Sequence, residues 1–158
     1  MTNKKIVICF LIILSVILAG CEKYSSHSRW ALFKTVNQSP IIIGNQEDQT
    51  NQEMVKQIKE ETREFTSIYD VAVVKGEKDI LVAYKVKHLH RLKMKSIEKD
   101  LKDKLNKKFP DANFTVSSDF KIFLETVRLW DHLQNADYTE KQADKRLKQI
   151  IRLNDELT

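Results

Sequence analysis

The stretch "SIYDVAVVKGEKDILVAYKV", residues 67–86, decides the fold. Two short β-branched runs, Ile68 to Val74 and Ile80 to Val86, flank the loop Lys75-Gly76-Glu77-Lys78-Asp79. Valine and isoleucine suit a pleated, half-buried surface, and a loop of this length joins antiparallel neighbours, so the stretch predicts a β-hairpin. Gly76 is expected to supply a positive φ in the turn. In the second run Ile80, Val82, Tyr84 and Val86 share one face, the expected core face, while Lys85 and Lys87 take the other.

Working outward, Thr50-Asn51-Gln52-Glu53 has capping-box spacing, and Met54, Val55, Ile58 and Phe65 then recur near one helical face. Beyond the hairpin, Met94, Ile97, Leu101 and Leu105 predict a second helix that runs to about Phe109, where Pro110 forbids easy continuation. Phe114 and Val116 alternate with polar residues in a third strand. Ser118 or Asp119 caps a third helix through Leu133, and Thr139-Glu140-Lys141-Gln142 opens a last one with Ala143, Leu147 and Ile150.

The order α-β-β-α-β-α-α predicts a mixed α/β (α+β) domain. A two-layer α-β-β-α-β sandwich would bury one face of a three-stranded sheet against the first two helices, with additional C-terminal helices. The third helix is too apolar to stand free and should pack on the domain or on a partner.

The precursor has only three glycines, at 20, 44 and 76, which argues against glycine-rich phosphate loops and against an all-β fold with many tight turns. The chain divides into 1–20, an N-terminal signal; 21–49, a polar tether with a few apolar residues; 50–135, the α/β domain; and 136–158, a C-terminal helix. Lys4 and Lys5 precede an apolar run from Ile6 to Ala19, shorter than the roughly 20 residues a spanning helix needs. Leu18-Ala19-Gly20-Cys21 follows: small residues keep the backbone uncrowded for a peptidase, and the thiol can accept an acyl-bearing group. Loss of the first 20 residues removes Cys9, Lys4 and Lys5, leaving Cys21 alone and lowering the formal charge from +5 to +3. One remaining cysteine allows no intramolecular disulfide and no cysteine pair for zinc or redox work.

Leu18, Ala19, Gly20 and Cys21 resemble the lipobox of bacterial lipoproteins, which implies cleavage after Gly20 and lipid on Cys21. Two or more acyl chains make a stable anchor where one binds marginally. With that motif, the hairpin at 67–86 and "FPDANFTVSSDFKIF" (109–123), the chain resembles the sporulation lipoproteins of the YhcN/YlaJ family from endospore-forming Firmicutes. The likeness covers roughly residues 50 to 130 plus the signal. The α-β-β-α-β core is also similar to BON domains and to ring-building modules of secretion and sporulation channels, a fold-level analogy. The family likeness implies a lipid-anchored protein on the non-cytoplasmic face of the cell membrane, with the forespore or spore inner membrane as the expected place. It implies a role in sporulation, germination or outgrowth, and no mechanism. The segment "KVKHLHRLKMK" (85–95) is more basic than the family pattern.

The run from Lys85 to Lys108 holds ten Lys or Arg against Glu98, Asp100 and Asp103. It reads either as a solvated helix face or as a surface for an anionic partner. Lys85, Lys87, Arg91, Lys93, Lys95, Lys99 and Lys102 are the candidate contacts, with anionic lipid head groups or wall polymer as ligands. Nucleic acid is not expected, because the lipid route places the domain outside the membrane and no aromatic interleaving accompanies the charges. His88 and His90 would point the same way on a strand, yet no third ligand lies near in sequence, so no metal is expected. Glu53, Glu60, Glu61 and Glu64 fit an exposed helix face, and Ser117, Ser118 and Asp119 read as a cap rather than a nucleophile with its base. Phe120, Phe123 and Trp130 read as core rather than a ligand box. The expectation is a non-enzymatic, cofactor-free lipoprotein that binds another protein. A structural ring or channel component and an envelope-binding basic module are the alternatives.

Overall fold

The computed structural model describes residues 36–45, 47–135 and 137–157. The lipobox, Cys21 and most of the tether lie outside the described residues. The elements run β1 (Ile41–Ile42), α1 (Gln49–Arg63), β2 (Ile68–Lys75), β3 (Asp79–Val86), a 3₁₀ turn (His88–Lys93), α2 (Met94–Lys108), β4 (Asn113–Ser117), α3 (Phe120–Leu133) and α4 (Glu140–Leu157).

The strands form one mixed sheet in the order β1-β2-β3-β4. β2 and β3 are the antiparallel hairpin, with Val73 opposite Val82 and Ala72 opposite Ala83. β1 lies parallel to β2, and β4 lies parallel to β3. The sheet is therefore four-stranded rather than three-stranded. The added strand comes from Ile41 and Ile42, inside the stretch expected to be tether; Ile41 to Ile43 are buried. Three consecutive isoleucines gain more by covering the exposed edge of β2 than by remaining in water.

Helices cover both faces of the sheet. On the first, Val55 and Ile58 of α1 and Ile97, Leu101 and Leu105 of α2 meet Val71, Val73, Ile80, Val82, Tyr84, Phe114 and Val116. On the second, Ile122, Phe123 and Val127 of α3 and Ala143, Leu147 and Ile150 of α4 cover Ala72, Val74, Leu81 and Ala83. The architecture has three layers, which corrects the expected two. The face of β3 assigned to solvent is core. Leu81 and Ala83 are wholly buried, and Lys85 with them is only 4 % exposed. Strands with both faces covered read as near-continuous apolar runs, and "VAVV" and "ILVA" are such runs.

The ends of the helices follow from short polar side chains. Asp48 caps α1, accepting from the backbone N–H of Thr50 at 2.9 Å and of Asn51 at 3.3 Å. The cap thus lies two residues before the expected Thr50, and the helix begins at Gln49. Asp119 caps α3 through the N–H of Lys121 at 2.7 Å and of Ile122 at 3.1 Å. The box at α4 forms as expected, with Thr139 N–H donating to Gln142 Oε1 at 2.8 Å and Gln142 N–H to Thr139 Oγ1 at 3.3 Å.

Candidate functional site

β4 pairs with β3 only as far as Ser117 opposite Ala83, so the last residues of β3 run on beyond it. The chain turns there into α3, and α2 approaches from the other side. A groove of about 1030 Å³ opens where these elements diverge. Its floor is formed by Lys85, Val86, Ser117 and Ser118. One wall is α2 with Met94, Lys95, Glu98, Lys99 and Lys102; the opposite side carries Tyr69, Asp119, Phe120 and Leu157. The groove thus sits at the carboxyl ends of two parallel strands, where open α/β sheets commonly hold ligands.

The basic run divides by helical phase. Ile97, Leu101 and Leu105 face the core, Lys95, Lys99 and Lys102 face the groove, and Lys104 and Lys108 face α1. Positions three and four apart share a helix face, and here the spacing sorts the lysines into two sets. Lys104 pairs with Glu61 at 2.6 Å and with Glu64, while Lys108 pairs with Glu61. These hydrogen bonds, from Lys104 first, hold the Glu61 carboxyl below its ordinary value and raise that of Lys104. Arg91, Lys95, Lys99 and Lys102 make no salt bridge among the described residues, and all four are exposed. Lys87 and Lys93 are exposed too but do not line the groove.

Lys85 is not a surface contact. Its Nζ lies 2.9 Å from Asp70 Oδ2, and both side chains are buried. The ammonium also lies 4.7 Å from the ring centre of Phe123 and 5.2 Å from that of Tyr69. Burial, helped by the Asp70 carboxylate, raises the Tyr69 phenol, with Arg91 acting the other way. Beside the floor, burial and the Glu98 carboxylate push the Tyr84 phenol well up, so it is neutral in the folded protein at any ordinary pH. The groove's acids already have hydrogen-bond donors. Glu98 Oε2 accepts from Ser118 Oγ at 3.2 Å and from its N–H at 3.4 Å, while Asp119 holds the start of α3. The groove therefore offers four solvated cations, a floor whose Lys85 charge is matched by Asp70, and apolar patches at Tyr69, Met94, Phe120 and Leu157. That combination suits recognition of an anionic, partly apolar ligand.

His88 and His90 lie on the 3₁₀ turn and not on a strand. Two positions along such a turn differ by about 240°, so the rings do not point the same way. No group of three or more His, Cys, Asp or Glu among the described residues could hold a metal ion. Phe123 is core, as expected, whereas Phe120 stands half exposed at the groove and Trp130 packs partly buried against the second-face cluster. Sequence reasoning missed Tyr69, Met94 and Leu157 as groove residues. A tyrosine two residues into a strand, on the face opposite its core neighbours, is the only signal among the three.

No family model, curated protein or solved structure matches this chain. No described helix is long and apolar enough to cross a membrane.

Proposed function

We propose that the chain is a lipid-anchored lipoprotein of the sporulation or spore envelope. Its α/β domain would bind an acidic segment of another envelope protein in the basic groove. The observation that carries the reading is the ending Leu18-Ala19-Gly20-Cys21 on an apolar run too short to span. The groove supports the binding half: four cations without salt bridges among the described residues stand beside exposed Tyr69, Met94 and Phe120. The sporulation context rests on the likeness to the YhcN/YlaJ lipoproteins, and the expected place is the non-cytoplasmic face of a forespore or spore membrane.

The test is fractionation of growing cells, sporulating cells and purified spores, comparing the native chain with Cys21→Ser. The reading expects a membrane-bound mature form confined to sporulation and spores, and a variant that keeps its precursor mass. An abundant protein in growing cells would remove the sporulation context. A Cys21→Ser chain processed like the native one would remove the anchor. Lys95→Glu, Lys99→Glu and Lys102→Glu together should release any partner recovered with the native chain.

A second reading, a ring or channel component, draws on one observation: β4 is the last strand of the sheet, paired on one side only among the described residues. Such an edge can add a strand from a second copy. A strictly monomeric chain at high concentration in membranes would exclude it.

A further inference from the structure

The turn that joins β3 to α2 carries two leucines with nothing over them among the described residues. Leu89 is 92 % and Leu92 102 % exposed, far more than any other large apolar residue described. In a 3₁₀ turn, side chains three apart eclipse one another. Leu89 and Leu92 therefore project as an apolar ridge from one side of the turn, His88 and Arg91 from a second side, and His90 and Lys93 from a third. No acidic residue occurs from Ile80 to Ile97, and Lys87 and Lys95 add cations at both ends of the turn. An apolar ridge between two basic stripes matches the boundary of an anionic bilayer, where acyl chains lie beneath phosphate groups.

We propose that the His88–Lys93 turn inserts Leu89 and Leu92 into an anionic phospholipid surface. This would be a second membrane contact, separate from Cys21. The placement rests in part on the anchor reading, because Val36, where the described body begins, is 15 residues from Cys21. Fully extended, that length spans at most about 50 Å, which keeps Val36 within that distance of the anchored cysteine. Arg91 and Met94 belong both to this end of the domain and to the groove. Docking the turn therefore brings this end of the groove to the membrane surface, within reach of a protein ligand that lies there.

The test uses the full-length chain in vesicles of phosphatidylcholine alone or with an equal share of phosphatidylglycerol, both containing acyl-chain-brominated lipid. Emission from Leu92→Trp is read over the native chain's own background, with circular dichroism to confirm the fold. The expected result is a blue-shifted, strongly quenched emission in the anionic vesicles only. High salt or Arg91→Glu with Lys93→Glu should abolish it. Leu89→Ser should lower the ratio of inserted to uninserted turn roughly tenfold or more, the loss expected for one leucine's burial. Emission typical of water in both vesicles overturns the proposal, and so does equal quenching in both. Shielding in detergent without lipid that grows with protein concentration would assign the ridge to a second copy, and also overturns it. The unprocessed chain keeps its apolar run from Ile6 to Ala19, so this result does not depend on Cys21 acylation, and fractionation does not depend on Leu92.

Discussion

Asp70 shows how one carboxylate can tie a sheet to its edge and neutralise a charge. It accepts from Lys85, from the N–H of Val36 at 3.0 Å, of Asn37 at 3.3 Å and of Val71 at 3.1 Å. Removing one partner of a buried pair leaves the other charge uncompensated, at a cost of about 3–5 kcal/mol. Asp70→Ala should therefore lower unfolding free energy by about that amount, read from urea denaturation at unchanged slope. Lys85→Met should cost less, because the carboxylate keeps three backbone donors. Equal losses would mean that those donors contribute nothing to holding the charge. Lys85 also shows the limit of alternation as a guide, since a lysine between Tyr84 and Val86 reads as solvent-facing unless the second layer is known.

Among the elements, the hairpin turn has a constraint that sequence chemistry misassigns. Gly76 does not sit at positive φ; a Cβ there would lie 2.7 Å from Leu147 Cδ2 and 3.4 Å from the carbonyl oxygen of Asp79. The glycine is small because α4 presses on the turn. Leu147 is wholly buried and cannot swing away freely. Gly76→Ala should cost about 1–3 kcal/mol by overpacking, and Leu147→Ala about 2–5 kcal/mol by cavity formation. Adding Gly76→Ala to Leu147→Ala should cost little more, so the double-mutant cycle reads the contact directly. Strict additivity would place the strain elsewhere. The α1–α2 bridge makes a pH prediction. Because Glu61 titrates lower when folded, its contribution is complete above the ordinary carboxylate value of about 4.3 and fades as the pH falls through the lower folded value. The stability gap between the native chain and Glu61→Gln should be full at neutral pH and narrow in acid. A gap independent of pH would mean that the bridge contributes nothing.

At the scale of the molecule, the second helical layer decides whether the sheet has an inside on both faces. Removing residues 136–158 would strip Ala143, Leu147 and Ile150 from the second core. The truncated chain should bind hydrophobic dye and lose its sharp thermal transition, as loosely packed compact states do. Retention of a cooperative transition near the native temperature would show α4 to be an appendage. Glu125 of α3 strengthens the junction, pairing with Arg128 on its own helix and with Arg146 of α4.

Sequence alone determined most of the elements: the hairpin, α2 up to Pro110, the Asp119 cap and the Thr139 box all stand where local chemistry placed them. Those features depend on neighbours a few residues away, so spacing and capping reveal them. The candidate residues Lys95, Lys99 and Lys102 were legible for the same reason, being on one helix face. What tertiary structure alone decided were the contacts between distant segments. Ile41 and Ile42 became a strand because β2 had an edge to cover. Lys85 was buried because α3 brought Phe123 against the sheet, and Gly76 was confined by Leu147 of α4. The groove, too, exists only because β4 stops at Ser117 while β3 continues. Each is set by burial of apolar area between elements, a quantity with no period along the chain.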